Sequence, residues 1–201
     1  MTKEQAPSLC PSSPQQWREW LLAHHATERG AWLVYYKKAA GQPSLSWSEA
    51  VDEALCFGWI DSQAKPLDAQ RYQQFFSPRK PTSGWSRINK QKVQHLTAAG
   101  RMTPAGLASV AAAQQNGTWA LLDDVEDLRL PPDLAQALAE RPAAGEYFAR
   151  LSRTAKRSLL LGLALARQAP TRARRIAAIL AQAEASILGQ SIQDQSPILK
   201  P

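Results

Sequence analysis

Arg71, Arg79, Lys80, Lys90 and Arg101 are five of the seven Lys and Arg residues in a stretch of 31. Among and around them lie Trp59, Tyr72 and Trp85, the acids Asp61 and Asp68, and the small polar residues Ser83 and Asn89. A guanidinium presents a planar fork of donors that suits carboxylate or phosphate, and aromatic rings supply flat walls. The candidate ligand-binding set is therefore Trp59, Asp61, Arg71, Tyr72, Arg79, Lys80, Ser83, Trp85 and Asn89, with an aromatic or nucleotide-like anion as the expected ligand. The plainer alternative has Trp59 and Trp85 filling a core and Asp61 pairing with Arg71. Asp61 beside an arginine also suits general acid–base chemistry on an anionic substrate. The spacing names no reaction, so whether the chain is an enzyme stays open and no catalytic residue is assigned.

A second basic set consists of Arg153, Arg157, Arg172, Arg174 and Arg175, in a stretch with no acid between Glu146 and Glu184. Such helices could track nucleic-acid phosphates with little sequence discrimination. No groove-reading module accompanies them. The net charge of +7 and a pI near 9.7 fit either anionic partner and equally a solvated basic surface.

Other reactive residue types read as structural. Cys56 lies between Leu55 and Phe57 with no histidine near it in sequence, so it is expected to be buried as a small hydrophobe. Asp52 and Glu53 precede it and are expected to be solvated. His24, His25 and His95 are the only histidines, and adjacent residues on a helix point apart, so no zinc site is expected and no cofactor is implied. Cys10 and Cys56 are not expected to form a bridge.

These residues need elements to hold them. All seven tryptophans lie between Trp17 and Trp119, whereas the remainder is rich in Ala, Leu and Arg. The acidic cluster at 123–127 and Pro131-Pro132 mark the change. The expected fold class is α+β: a small antiparallel sheet packed with helices, then an all-α unit. The expected boundaries are a flexible tail over 1–14, an α+β domain over 15–120, a helical domain over 121–188 and a flexible tail over 189–201.

In the first domain the patterning predicts a helix over 14–25, a strand over 31–38 and two strands within 59–78 that pair back on it. Ser46 and Glu49 predict a capping box opening a helix to about Gly58. Further helices are expected over 86–99, with Ile88, Val93 and Leu96 inward, and from Pro104 to Gly117. In the second, helices are expected over 132–140, 152–168 and 171–185. The polar start without an export signal predicts a cytoplasmic chain, and no apolar run is long enough to insert into a membrane. Oligomeric state is not legible.

Several runs are unusual: GWIDS at Gly58–Ser62, FSPRKP at Phe76–Pro81, WSxxNK at Trp85–Lys90 and GRMTPAG at Gly100–Gly106. With Leu151-Ser152 and the run from Thr171 to Ile176, they resemble the YdeI/OmpD-associated, bacteriocin-protection family over roughly residues 15–185. The resemblance implies a bacterial protein named for bacteriocin protection or for association with an outer-membrane porin, and gives the small-ligand or peptide site read from the residues an expected role in stress or antimicrobial tolerance. It carries no catalytic residues over to this chain.

Overall fold

The computed structural model describes residues 3–194, which divide into two units at Ala120/Leu121. In the first, the helix α1 (Pro14–His24) is capped by Ser13, whose side chain accepts from the Gln16 amide, and Pro14 sits where its missing N–H costs nothing. Trp17 and Leu21 make its buried stripe. Two residues before it, Ser8–Leu9, form strand β1, which runs parallel to β2 (Ala31–Tyr36). The segment expected as a tail up to residue 14 thus contributes to the sheet. Its two-residue strand carries no alternation for a periodicity reading to detect. Met1 and Thr2 of that segment lie outside the described residues.

β3 (Trp59–Pro66) and β4 (Arg71–Pro78) form a hairpin, and the sheet order is β1-β2-β4-β3. Both predicted strands exist, but only β4 pairs with β2, while β3 pairs with β4. The sheet is mixed rather than purely antiparallel because of β1. A register shift between Asp61 and Ala64 bulges the edge strand.

α2 (Trp47–Cys56) opens with the expected capping box: Ser46 accepts from the Glu49 amide and Glu49 accepts from the Ser46 amide. The Ser46 hydroxyl and then the Ser46 amide, both donating to the Glu49 carboxylate, hold it below its usual range. Ser46→Ala is expected to cost about 1 kcal/mol in urea unfolding. Because the folded-state value of Glu49 is lowered, its contribution is present above the ordinary glutamate range and is lost as pH falls through the folded value. The stability of Glu49→Gln should accordingly depend less on pH over that acidic window.

α3 (Arg87–Ala98) and α4 (Pro104–Gln115) complete the unit. Its core gathers Trp17, Leu33, Leu55, Trp59, Phe76 and Trp85. Val93 and Leu96 point inward as expected, but Ile88 is 60% exposed. Five residues before Val93 is about 140° around a helix, which turns Ile88 away from the core.

The second unit contains α5 (Asp123–Glu126), α6 (Pro132–Ala139), α7 (Pro142–Arg150), α8 (Arg153–Ala164) and α9 (Ala169–Asp194). α7 was not legible, since Gly145 sits within a short run that Pro142 opens. Leu134, Phe148, Leu160, Leu163 and Leu180 make a separate core. α9 extends to Asp194, past Gly189 where fraying was expected, and residues 195–201 lie outside the described residues. No helix among the described residues is long and apolar enough to cross a membrane.

Candidate anion-binding site

Leaving β4, the chain is pinned by the Arg79 amide, which donates to Gly58 O at 2.9 Å. The turn that follows is closed by Ser83 N donating to Lys80 O at 2.9 Å. Pro81 O then accepts from Asn116 Nδ2 at 2.8 Å and from Thr118 Oγ1 at 3.2 Å. The proline-containing loop is therefore held from both sides before Ser86 caps α3.

The Arg79 guanidinium lies 3.7 Å from the centre of the Trp85 ring and donates through Nη2 to Gly84 O at 2.7 Å. Its Nε and Nη1 are buried and have no hydrogen-bond partner. Among the described residues no carboxylate comes within ion-pair distance of it. Burial lowers its pKa to about 10, which the field of Asp61 partly offsets. A buried cation in this state is costly unless a counter-charge arrives.

Beside Arg79 is a cavity of about 120 Å³, walled on one side by Phe57, Gly58, Lys80, Pro81 and Trp85 and on the other by α4. The helix supplies Ala105, Ser109, Ala112 and Ala113. It can come so close because residue 106 is glycine: a Cβ there would lie 2.3 Å from Cys56 O. Thr103 secures the same carbonyl through its amide at 3.0 Å and its hydroxyl at 2.7 Å.

Glu53 lies beneath this arrangement, 1% exposed, and corrects the expectation that it is solvated. Its carboxylate pairs with Arg18 Nη1 at 2.9 Å and with Arg101 Nη2, and Arg18 Nη2 donates to Arg101 O at 3.0 Å. Asp52 pairs with Lys92 at 2.7 Å. Cys56 is fully buried, and burial raises its thiol pKa although Arg18 pulls it down, so it stays protonated rather than nucleophilic.

Of the sequence-based set, Arg79, Lys80 and Trp85 share the cavity. Arg71 does not join them: it pairs with Asp68 at 2.8 Å in the hairpin turn, at the far end of the eight-residue β4. An eight-residue strand spans roughly 24 Å or more. Arg101 is taken by Glu53, and the Lys90 ammonium lies 5.5 Å from the Trp119 ring centre. Trp59 is 1% exposed, its Nε1 bonded to His25 O at 3.2 Å. Tyr72 stacks on Tyr35 with ring centres 4.9 Å apart. Neither offers a wall to a ligand beside Arg79, and the inner face of Trp85 is covered by Arg79. Asp61 accepts from Trp47 Nε1 at 3.0 Å and Gln74 Nε2 at 2.6 Å rather than from Arg71. The Asn89 amide donates to Ser86 Oγ, the α3 cap, at 3.3 Å, and Ser83 is placed by the turn. Sequence reasoning missed the α4 wall. Its signal was the small-residue spacing of Ala105, Ser109, Ala112 and Ala113.

Residues 9–109 match the model of a domain of unknown function (DUF8412), and residues 127–186 match that of the family described as bacteriocin-protection, YdeI or OmpD-associated. The chain belongs to DUF8412, and its second unit is similar to the YdeI/OmpD-associated family over the matched residues. The four motif runs between Gly58 and Gly106 lie in the DUF8412 region, so the YdeI/OmpD-associated match is narrower than the resemblance read from the sequence. No curated protein and no solved structure matches the chain.

In the second unit the basic set is largely committed. Arg157 pairs with Glu126 at 2.7 Å and Arg172 with Asp133 at 2.5 Å. Arg153 donates to Glu126 O at 2.7 Å and Arg175 to Gly162 O, while Arg174 is exposed. The acids come from before residue 146, where a scan of the basic stretch does not reach. A larger cavity of about 530 Å³ in this unit is mostly apolar, and its arginines, Arg129 and Arg172, are paired with Asp124 and Asp133. It has the volume of a ligand pocket but lacks an unsatisfied charge.

Proposed function

We propose that this chain is a small-anion-binding protein whose site is the Arg79 cavity, and that this binding serves the bacteriocin protection for which the family similar to its second unit is named. One observation carries the reading: a guanidinium with two buried, unpartnered donors beside a cavity. An anion seated there supplies the missing counter-charge. The cavity admits a small anionic group, not a nucleotide base, because the neighbouring ring faces are already covered.

The test is thermal unfolding across a panel of acetate, phosphate and sulfate at constant ionic strength. At least one anion should raise the midpoint of the wild-type protein, and Arg79→Gln should lose that rise while still unfolding cooperatively. Cells expressing Arg79→Gln at the wild-type level should also lose protection against bacteriocin. A midpoint indifferent to every anion, or one equally responsive in Arg79→Gln, overturns the reading. Binding of nucleic acid that weakens steeply with salt and requires Arg153 and Arg174 would favour the basic helices instead.

A further inference from the structure

We infer that the anion is a short monocarboxylate, acetate- to propionate-sized, held with its charge at Arg79 and its alkyl end against α4. The inference rests on the anion-site reading above and adds the ligand's class. Volume is the first argument. At about 120 Å³ the cavity is smaller than the roughly 150 Å³ that accepts a benzene ring. That suits acetate or propionate better than a benzene ring bearing a carboxylate.

The second argument is the polarity of the walls. Charge enters from the loop, through Arg79 and Lys80, whereas α4 opposes it with the small, uncharged residues Ala105, Ala112 and Ala113. A carboxylate has its oxygens at one end and carbon at the other, which matches this asymmetry. Phosphate carries oxygens in every direction, and those facing the alanines would lose water without gaining a donor, except at Ser109. Charge is the third argument. Arg79 and Lys80 contribute two positive charges, and Asp61 acts on Arg79 with one negative, leaving about the compensation a monoanion needs.

Either a free acid, or the C-terminal end of a peptide whose remaining atoms stay outside the cavity, could present this group. The experiment measures unfolding midpoints near neutral pH at matched ionic strength with propionate, benzoate, inorganic phosphate and N-acetylalanine. Propionate at about tenfold over its Kd should raise the midpoint by roughly 3–6 °C. Benzoate and phosphate should leave it unmoved. Arg79→Gln should remove the propionate shift, and so should Ala112→Leu, which fills the cavity without changing any charge. A shift with N-acetylalanine as large as that with propionate assigns the group to a peptide terminus. A shift with propionate alone assigns it to a free acid. Phosphate acting while propionate does not overturns the carboxylate inference and leaves the anion site standing. Benzoate acting as strongly as propionate overturns the size argument. Silence from all anions removes both.

Discussion

Glu53→Gln is expected to destabilise the first unit by about 3 kcal/mol, lowering its unfolding midpoint by roughly 12 °C. The carboxylate is buried between two guanidiniums, those of Arg18 and Arg101. Glutamine keeps the shape and one acceptor but leaves two cations facing each other over a neutral amide. Cost depends on how dry the cluster is. The Arg18 and Arg101 side chains retain 23% and 44% exposure, so both can turn partly to water, which places the expected value at the lower end of the range for broken buried pairs. Urea unfolding followed by tryptophan fluorescence measures this unit alone, since every tryptophan lies between Trp17 and Trp119. In an Arg18→Met background the same substitution should cost less, because one of the stranded charges is gone. A loss below about 1 kcal/mol would show that the cluster behaves like a surface pair.

Gly106→Ala is the second large effect. Alanine is the better helix former by about 1 kcal/mol, so an unconstrained site would gain. Here the new methyl would fall 2.3 Å from Cys56 O, 2.7 Å from Cys56 C and 2.9 Å from Leu55 O, all main-chain atoms at the end of α2. They cannot rotate away, so α4 must move outward and carry Ala105, Ser109 and Ala112 with it. The expected outcome is a net loss of about 2 kcal/mol, together with loss of the anion-dependent midpoint shift. Gly162→Ala is the matched control. In the last turn of α8 a Cβ meets nothing within 4 Å, and a gain of up to about 1 kcal/mol is expected there. Equal behaviour at the two positions would disprove the close approach of α4 to α2.

Much of the fold was legible because its signals are local. Ser13 with Pro14, Ser46 with Glu49 and Thr103 with Pro104 each encode a helix start within four residues, and each caps a helix. The aromatic and branched run Trp32 to Tyr36 encodes a strand. Two-residue β1 carried no such pattern, and α9 runs on past the point where its flanking residues suggested an end. The candidate site was only partly legible. Among the cations between Arg71 and Arg101, proximity along the chain could not tell Arg79, which lines a cavity, from Arg71, which meets an acid three residues away. Glu53 looked like any carboxylate on a helix until Arg18 and Arg101, 35 and 48 residues distant, closed over it.

The residue pattern by itself determined the elements, the change of character near residue 120 and the concentration of indole groups in the first unit. These follow from side-chain preferences and hydrogen bonds that span a few residues. Tertiary structure alone decided which cations are neutralised and which remains unsatisfied. Electrostatic state depends on distances of a few ångströms between groups dozens of residues apart, and those distances exist only once β4 lies against β2 and α4 against α2. Arg79 is set apart by what does not reach its Nε and Nη1, a property that belongs to the packed chain and to no motif within it.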